Sequence, residues 1–245
     1  MRTSNKILTA TLVLLIIGLA LYDLRLKAEY KKGDYADPYR DFVKLDHKDF
    51  DVVELNSSTA VNIMLVQGPF KVMVTPQATD FVDIRQEKNR LIVDVKFRDH
   101  FSGVNPEYVV YISCPVLSCF KADAHYLADG VKVTDTVARD LGWRPTVISG
   151  FNADSLVIQE DHASNVKLEN NRINSFRATV GLSDKSGAAL TIGKNNQFTK
   201  SNLDILNRSK LWIKGTDVNN LNYKLADSAS LIINGVSAKH MLKLY

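Results

Sequence analysis

The chain has 245 residues, 45% of them hydrophobic, enough for one large or two small folded domains. Its net charge of +4 comes from 31 basic and 27 acidic residues spread along the whole length. No block of like charge stands out and the aromatics do not interleave with a basic stripe, which excludes a nucleic-acid footprint.

At the N-terminus, Arg2 and Lys6 precede an uncharged run from Ile7 to Tyr22, and Asp23 and Arg25 close it. Sixteen residues fall just short of a membrane span, which takes about 17 to 25. Including Leu24 and Leu26, with Arg25 and Lys27 reaching back to the interface, gives a transmembrane anchor over residues 7–26 behind a cytoplasmic tail of residues 1–6. The rival reading is a cleaved signal peptide, with Gly18-Leu19-Ala20 as the small-residue site. The bulky Leu21-Tyr22 just beyond favours the uncleaved anchor, and the absence of a cysteine before Cys114 argues against a lipidated one. Either way the body is expected outside the cytoplasm: a single-pass inner-membrane protein with a periplasmic domain, or alternatively an exported, cell-surface protein.

Residues 27–50 read as a stalk, punctuated by Gly33 and Pro38 and mixing both charge signs. From residue 51 the hydrophobic period becomes two: Val53 and Leu55; Val61, Ile63 and Leu65; Phe70, Val72 and Val74; Leu91, Val93, Val95 and Phe97; then a continuous run from Tyr108 to Ile112. Turns at Gly68-Pro69, Thr75-Pro76, Lys88-Asn89 and Asn105-Pro106 separate them, as expected of a strand-rich region. Residues 121–150 break the pattern with Asp129-Gly130, Gly142, Pro145 and Gly150, and are expected to be a loop-rich insertion with one short strand at Val131–Val133.

The last stretch, residues 151–245, carries a recurring apolar-polar-apolar triplet. Val166-Lys167-Leu168, Leu190-Thr191-Ile192, Leu211-Trp212-Ile213 and Leu231-Ile232-Ile233 lie 24, 21 and 20 residues apart. A second series follows each by 11 to 13 residues: Ala178-Thr179-Val180, Leu203-Asp204-Ile205, Tyr223-Lys224-Leu225 and Leu242-Lys243-Leu244. Asn170-Asn171, Asn195-Asn196, Asn207, Asn219-Asn220 and Asn234-Gly235 sit between them. Two short strands in a period of about 20 residues predict an all-β fold, a β-solenoid or β-helix of stacked rungs over residues 51–245. The β pattern persists through Leu242, Leu244 and Tyr245, which suggests self-association through the C-terminal rung.

The segment from Phe50 to about Phe120 resembles the auto-transporter adhesin, head GIN domain family, a domain of unknown function common in Bacteroidetes. The resemblance rests on Phe50-Asp51-Val52-Val53-Glu54-Leu55, on Val61-Asn62-Ile63 leading to Gln67-Gly68-Pro69-Phe70-Lys71-Val72, on Asn89-Arg90-Leu91-Ile92-Val93, and on Tyr111-Ile112-Ser113-Cys114-Pro115-Val116-Leu117. It implies stacked solenoid-like rungs and raises an adhesin as one reading of function. The family's glycines after the proline strand are replaced here by Lys121-Ala122-Asp123-Ala124-His125-Tyr126.

A search for chemistry finds little. His47, His100, His125, His162 and His240 show no metal-ligand spacing, and Asp99-His100 and Asp161-His162 are expected to point to opposite faces of a strand. There is no Gly-x-Ser-x-Gly elbow, no phosphate loop and no calcium repeat, so no catalytic, cofactor or metal residue is assigned. Carboxylates converging from separate strands, as in β-helix carbohydrate-active enzymes, stay as a second alternative. Cys114 and Cys119 either form a short-loop disulfide or serve as two small buried side chains. Trp212, with Arg177 and Lys243, is expected on an outer face, either to bind a partner protein or glycan or to cover a neighbouring loop. The expected function is a non-catalytic binding or scaffolding module of the cell envelope, anchored in the membrane.

Overall fold

The computed structural model describes residues 3–33, 37–97, 109–137, 145–215, 221–235 and 237–238. The chain divides into two units, residues 1–42 and residues 43–245.

The first unit is built on α1 (Thr3–Lys32). From Asn5 to Lys32 the helix is long and apolar enough to cross a membrane, with a mean hydropathy of 2.3 in its most apolar window. Its two interior threonines do not leave hydroxyls unsatisfied: Thr9 and Thr11 donate to the carbonyls of Asn5 and Ile7 one turn back. Between its two ends such a helix meets its backbone polar groups internally, the condition for entering lipid.

The second unit is β throughout, apart from a single 3-10 turn at Pro76–Ala78 among the described residues before residue 237. Its strands form two large sheets. The first has nine strands, in the spatial order β1 (Val43–Leu45), β4 (Lys71–Val74), β7 (Val109–Cys114), β3 (Asn62–Gln67), β11 (Thr146–Ser149), β13 (Asn165–Glu169), β15 (Ala189–Ile192), β17 (Lys210–Lys214) and β19 (Ser230–Asn234). The second runs β10 (Val131–Thr134), β9 (His125–Ala128), β6 (Arg90–Phe97), β2 (Val52–Leu55), β8 (Cys119–Ala122), β12 (Asn152–Glu160), β14 (Arg172–Val180), β16 (Gln197–Ile205) and β18 (Tyr223–Leu225), with β5 (Val82–Glu87) paired to β6.

The triplet recurrence survives as parallel ladders. Val166 pairs with Leu190, Leu190 with Leu211 and Leu211 with Leu231, one residue from each of β13, β15, β17 and β19. The second series does the same in the other sheet, where Ala178 pairs with Leu203 and Leu203 with Tyr223. The β-solenoid or β-helix expected from that recurrence is nevertheless wrong. The strands make two laminated mixed sheets with no solenoid closure. The period dictates which strands become neighbours, yet successive strands are dealt alternately to two layers. Antiparallel pairings of β1 with β4, β4 with β7, β5 with β6 and β9 with β10 interrupt the parallel order. The fourth member of the second series, residues 242–244, lies outside the described residues, as do Tyr108, Asn219-Asn220 and the last residues on which self-association was expected.

Between the layers lies one continuous core. Ile63, Leu65, Ile112, Ile148, Val166, Leu168, Leu190, Ile192, Leu211 and Ile213 face it from the first sheet. Val53, Leu55, Leu91, Val93, Phe120, Leu156, Ile158, Phe176, Leu203 and Ile205 face it from the second. Alternation with period two leaves the residues between them on the outer faces.

Corners between the layers account for the asparagines. After β13 the chain turns through Asn170, whose φ of 57° is left-handed, and after β15 through Asn195 at 59°; asparagine tolerates this region better than other side chains with a Cβ. Asn171 and Asn196, the next residues, are buried and hydrogen-bonded to each other. In residues 121–150 the strand at Val131–Val133 is present within β10, and the described residues of the segment also carry the end of β8, β9 and β11, more strand than expected. Asp129 and Gly130, at φ 49° and 78°, form a two-residue hairpin turn that joins β9 to β10, the geometry such a dipeptide favours.

Candidate functional site

Pairing registers define a row of side chains crossing the outer face of the first sheet. From one edge to the other it reads Lys44, Met73, Tyr111, Met64, Val147, Lys167, Thr191, Trp212, Ile232. Six of these nine are apolar or aromatic, on the side of the sheet away from the core. Met64 is exposed at 37%, and Tyr111, Val147, Trp212 and Ile232 are half-buried, whereas Met73 and Thr191 are covered by their neighbours. Lys167, between Val147 and Thr191 in the row, bends along its own strand to Glu169, at 2.8 Å. Trp212 is held in place from two sides: its indole N–H donates to the Asn234 side-chain oxygen on β19, and the Lys214 ammonium sits over the ring, 5.1 Å from its centre.

Flanking the row, the same face carries Lys71 on β4 and Lys210 and Lys214 on β17. Together with Lys44 and Lys167 this makes five lysines among the outward positions of the described strands, against one glutamate, Glu169. The outer face of the second sheet has a different character. There Glu54 takes Lys121 at 2.9 Å and Arg90 at 3.4 Å, Lys96 reaches Asp83 at 2.8 Å, and Arg85 is gripped by Asp94 between Asp83 and Glu87. Asp94 is the main reason the Arg85 guanidinium is held above its usual range. Exposed pairs of this kind contribute about 0 to 1 kcal/mol each, and they neutralise the end of the sheet around β5, β6, β2 and β8.

The residues singled out from sequence are not brought together. Trp212 lies on the first sheet, and Arg177 is exposed on β14 of the second, so they occupy opposite sides of the laminate; Lys243 is outside the described residues. Alternation along each strand was readable, but which layer each strand joins was not. Cys114 ends β7 in the first sheet and Cys119 opens β8 in the second, and both are free thiols. Burial, aided by Asp51, pushes the Cys114 thiol up to about 12. Burial likewise raises that of Cys119.

One polar cluster went unforeseen. Asp161 and His162 lie in the turn after β12, not in a strand, and His162 adopts φ 51°. The pair therefore converges instead of diverging: His162 Nδ1 is 3.7 Å from Asp161 and 2.6 Å from Asp123, whose other oxygen is 3.1 Å from His125 Nδ1. Burial pushes the Asp161 carboxyl up, but the Ser183 hydroxyl and amide, the His162 amide and the His162 charge outweigh it and leave it below the usual range. No group of three or more His, Cys, Asp or Glu among the described residues is arranged to hold a metal ion. Glu160, immediately before, points into the laminate and is fully buried. Its carboxyl oxygens make no well-formed hydrogen bond among the described residues. Desolvation drives its pKa well above the ordinary carboxylate value, only partly offset by the Val166 amide.

No family model and no curated protein matches this chain. Solved structures do. A protein of Parabacteroides distasonis ATCC 8503 described as a "putative adhesin" superposes with a TM-score of 0.51 at 14% identity, covering 78% of this chain and 71% of that one. A Bacteroides fragilis NCTC 9343 protein with the same description gives 0.43 at 13% identity over 79% and 94% of the two chains. A "putative lipid binding protein" from Parabacteroides distasonis ATCC 8503 gives 0.28 at 10% over 79% and 94%. At these identities the likeness concerns the fold alone, and the last two superpose too loosely to bear on it. The first agrees with the adhesin-type resemblance drawn from residues 50–120; the head GIN domain by name is not matched.

Proposed function

We propose that this is a membrane-anchored envelope protein whose β unit is a non-catalytic binding module, and that the outer face of the first sheet is its binding surface. The row from Tyr111 through Met64 and Val147 to Trp212 and Ile232 carries the reading. An outward sheet face is ordinarily polar, and the second sheet of this protein is. Apolar side chains gathered outside a core mark an interaction site. Here they form two groups, Tyr111, Met64 and Val147 on one side of Lys167 and Thr191, and Trp212 and Ile232 on the other. α1 supplies the anchor, and the β unit faces the periplasm.

The test is site-specific photo-crosslinking in cells, with the reactive group at position 64 or 232 on the first sheet and at 159 or 179 on the second. Adducts from the first pair alone are expected. Adducts of equal yield from both faces, or none from the first, would sink the binding-face reading. Recovery of the full chain in the membrane pellet after an alkaline wash, and its loss to the soluble fraction without residues 1–32, is expected of the anchor.

The fold shared with a protein described as an adhesin favours a second reading, a cell-surface adhesin. Protease added to intact cells separates the two. Digestion only after spheroplasting fits the periplasmic module, and digestion of intact cells the adhesin.

A further inference from the structure

We propose that the outer face of the first sheet rests on an anionic phospholipid surface, a proposal that builds on the reading of this face as the binding surface. Two observations point to that occupant and they are independent of each other.

The first is unbalanced charge. Four of the five lysines, Lys44, Lys71, Lys210 and Lys214, have no carboxylate partner among the described residues. They stand on β1, β4 and β17, at both ends of the nine-stranded sheet, not in one cluster. Charge spread in this way matches an extended anionic plane better than a single anionic group. The other sheet pairs part of its cations, with Glu54, Asp83, Asp94 and Glu87 taking up Arg85, Arg90, Lys96 and Lys121. It leaves Arg172, Arg177, Lys200 and Lys224 without a carboxylate partner among the described residues, so what sets the first sheet apart is that its lysines surround an apolar row.

The second is the kind of apolar surface between those lysines. Tyr111 and Trp212 are amphipathic rings that favour the headgroup boundary, and Met64, Val147 and Ile232 place aliphatic area beside them. Basic side chains around aromatic and aliphatic ones are the composition of surfaces that lie in an interface, held jointly by apolar burial and by attraction to anionic lipid. In the sequence, only residues 33–42 separate the apolar helix from the first strand.

The experiment reconstitutes the full chain carrying Trp143→Phe, so that Trp212 is the remaining tryptophan, into two sets of vesicles. One is phosphatidylcholine; the other is phosphatidylcholine with about one quarter phosphatidylglycerol, enough for a negative surface potential. Both contain a trace of dansyl-labelled headgroup as energy acceptor for Trp212. Roughly threefold more transfer is expected in the anionic vesicles, falling to the neutral value in about 0.5 M salt, where screening acts over a few ångströms. The same fall is expected at low salt for Lys44→Glu, Lys71→Glu, Lys210→Glu and Lys214→Glu combined. The salt arm uses no lysine change, so misfolding of the variant leaves the test intact. Equal transfer in both vesicles, or an anionic enhancement that salt leaves untouched, overturns the proposal. If transfer is blind to charge while crosslinks from position 64 persist, the lipid assignment falls and the binding face stands, with a protein or glycan as occupant. If those crosslinks are absent too, both fall.

Discussion

The side-chain amide of Asn171 donates to the side-chain oxygen of Asn196, 3.0 Å away and 25 residues on, where two corners of the laminate stack. The same Asn171 amide reaches the Ile148 carbonyl at 3.0 Å, and its oxygen accepts from the Phe151 amide at 3.0 Å. Asn196 in turn donates to the carbonyls of Leu168 and Gly193. Asn171→Ala strands several buried partners at once, and the expected loss is about 3 kcal/mol in chemical denaturation. Asn170→Ala, at the exposed neighbouring position with φ 57°, should cost about 1 kcal/mol, mostly backbone strain, since its side-chain bonds to Ser149 and Asn195 are exposed to water. Similar losses at the two positions would deny the ladder its role.

Glu160 makes stability fall with rising pH. Because its folded-state pKa is raised, the neutral carboxyl contributes fully below the ordinary carboxylate range, and that contribution is lost as pH rises toward and through the folded value. Glu160→Gln removes the titration, so melting temperatures of parent and variant should diverge as pH rises above the ordinary carboxylate range, the variant gaining on the parent. Parallel curves would show that Glu160 is not a buried neutral acid. Asp161 works in the opposite sense: its pKa is lowered, so its contribution is present at neutral pH and disappears as pH falls through the folded value. Asp161→Asn should therefore flatten the acid limb.

The two thiols should differ in rate. Cys114 is fully buried with its thiol pushed to about 12, and Cys119 is partly exposed. An aromatic disulfide reagent applied to the native protein should modify Cys119 at least about tenfold faster, Cys114 reacting only on unfolding. Mass spectrometry of the unreduced protein is expected to show both sulfurs as thiols; a mass lower by two hydrogens would establish a disulfide instead.

Gly181 should tolerate no side chain. Its φ is +88°, and a Cβ there would lie 2.6 Å from the Leu206 carbonyl oxygen and 2.1 Å from the Ser209 hydroxyl on the neighbouring turn. Gly181→Ala is expected to cost about 3 kcal/mol, strain and overpacking together. Gly150→Ala makes the control: at φ +80° with open space beside it, it should cost about 1 kcal/mol by the same assay.

Strand positions were largely readable, because alternation such as Leu211-Trp212-Ile213 states which side chains share a face. Pairing partners were readable in residues 151–245, where the recurrence aligned Leu190 with Leu211. Layer membership is not readable, so nothing in the sequence separates Arg177 from Trp212, which lie on different sheets. The antiparallel pairings of β1, β4 and β7 join segments with no shared period. The outward apolar row was equally hidden: Tyr111, Met64 and Val147 become neighbours only through ladders between distant strands. Asp161-His162 continues the strand pattern in the sequence, yet residues 161–164 form a turn, so alternation does not govern where the two side chains point.

Met64 on β3 pairs with Val147 on β11, and Val157 on β12 with Cys119 on β8, whereas β14 needs only the strand about 20 residues before it. During synthesis, then, β3 must wait with one edge bare until residue 147 has been made, and only afterwards can the rest of the chain add pair by pair. The middle of the polypeptide is thus the slow step of assembly and the interval in which a chaperone or a stray strand can capture it.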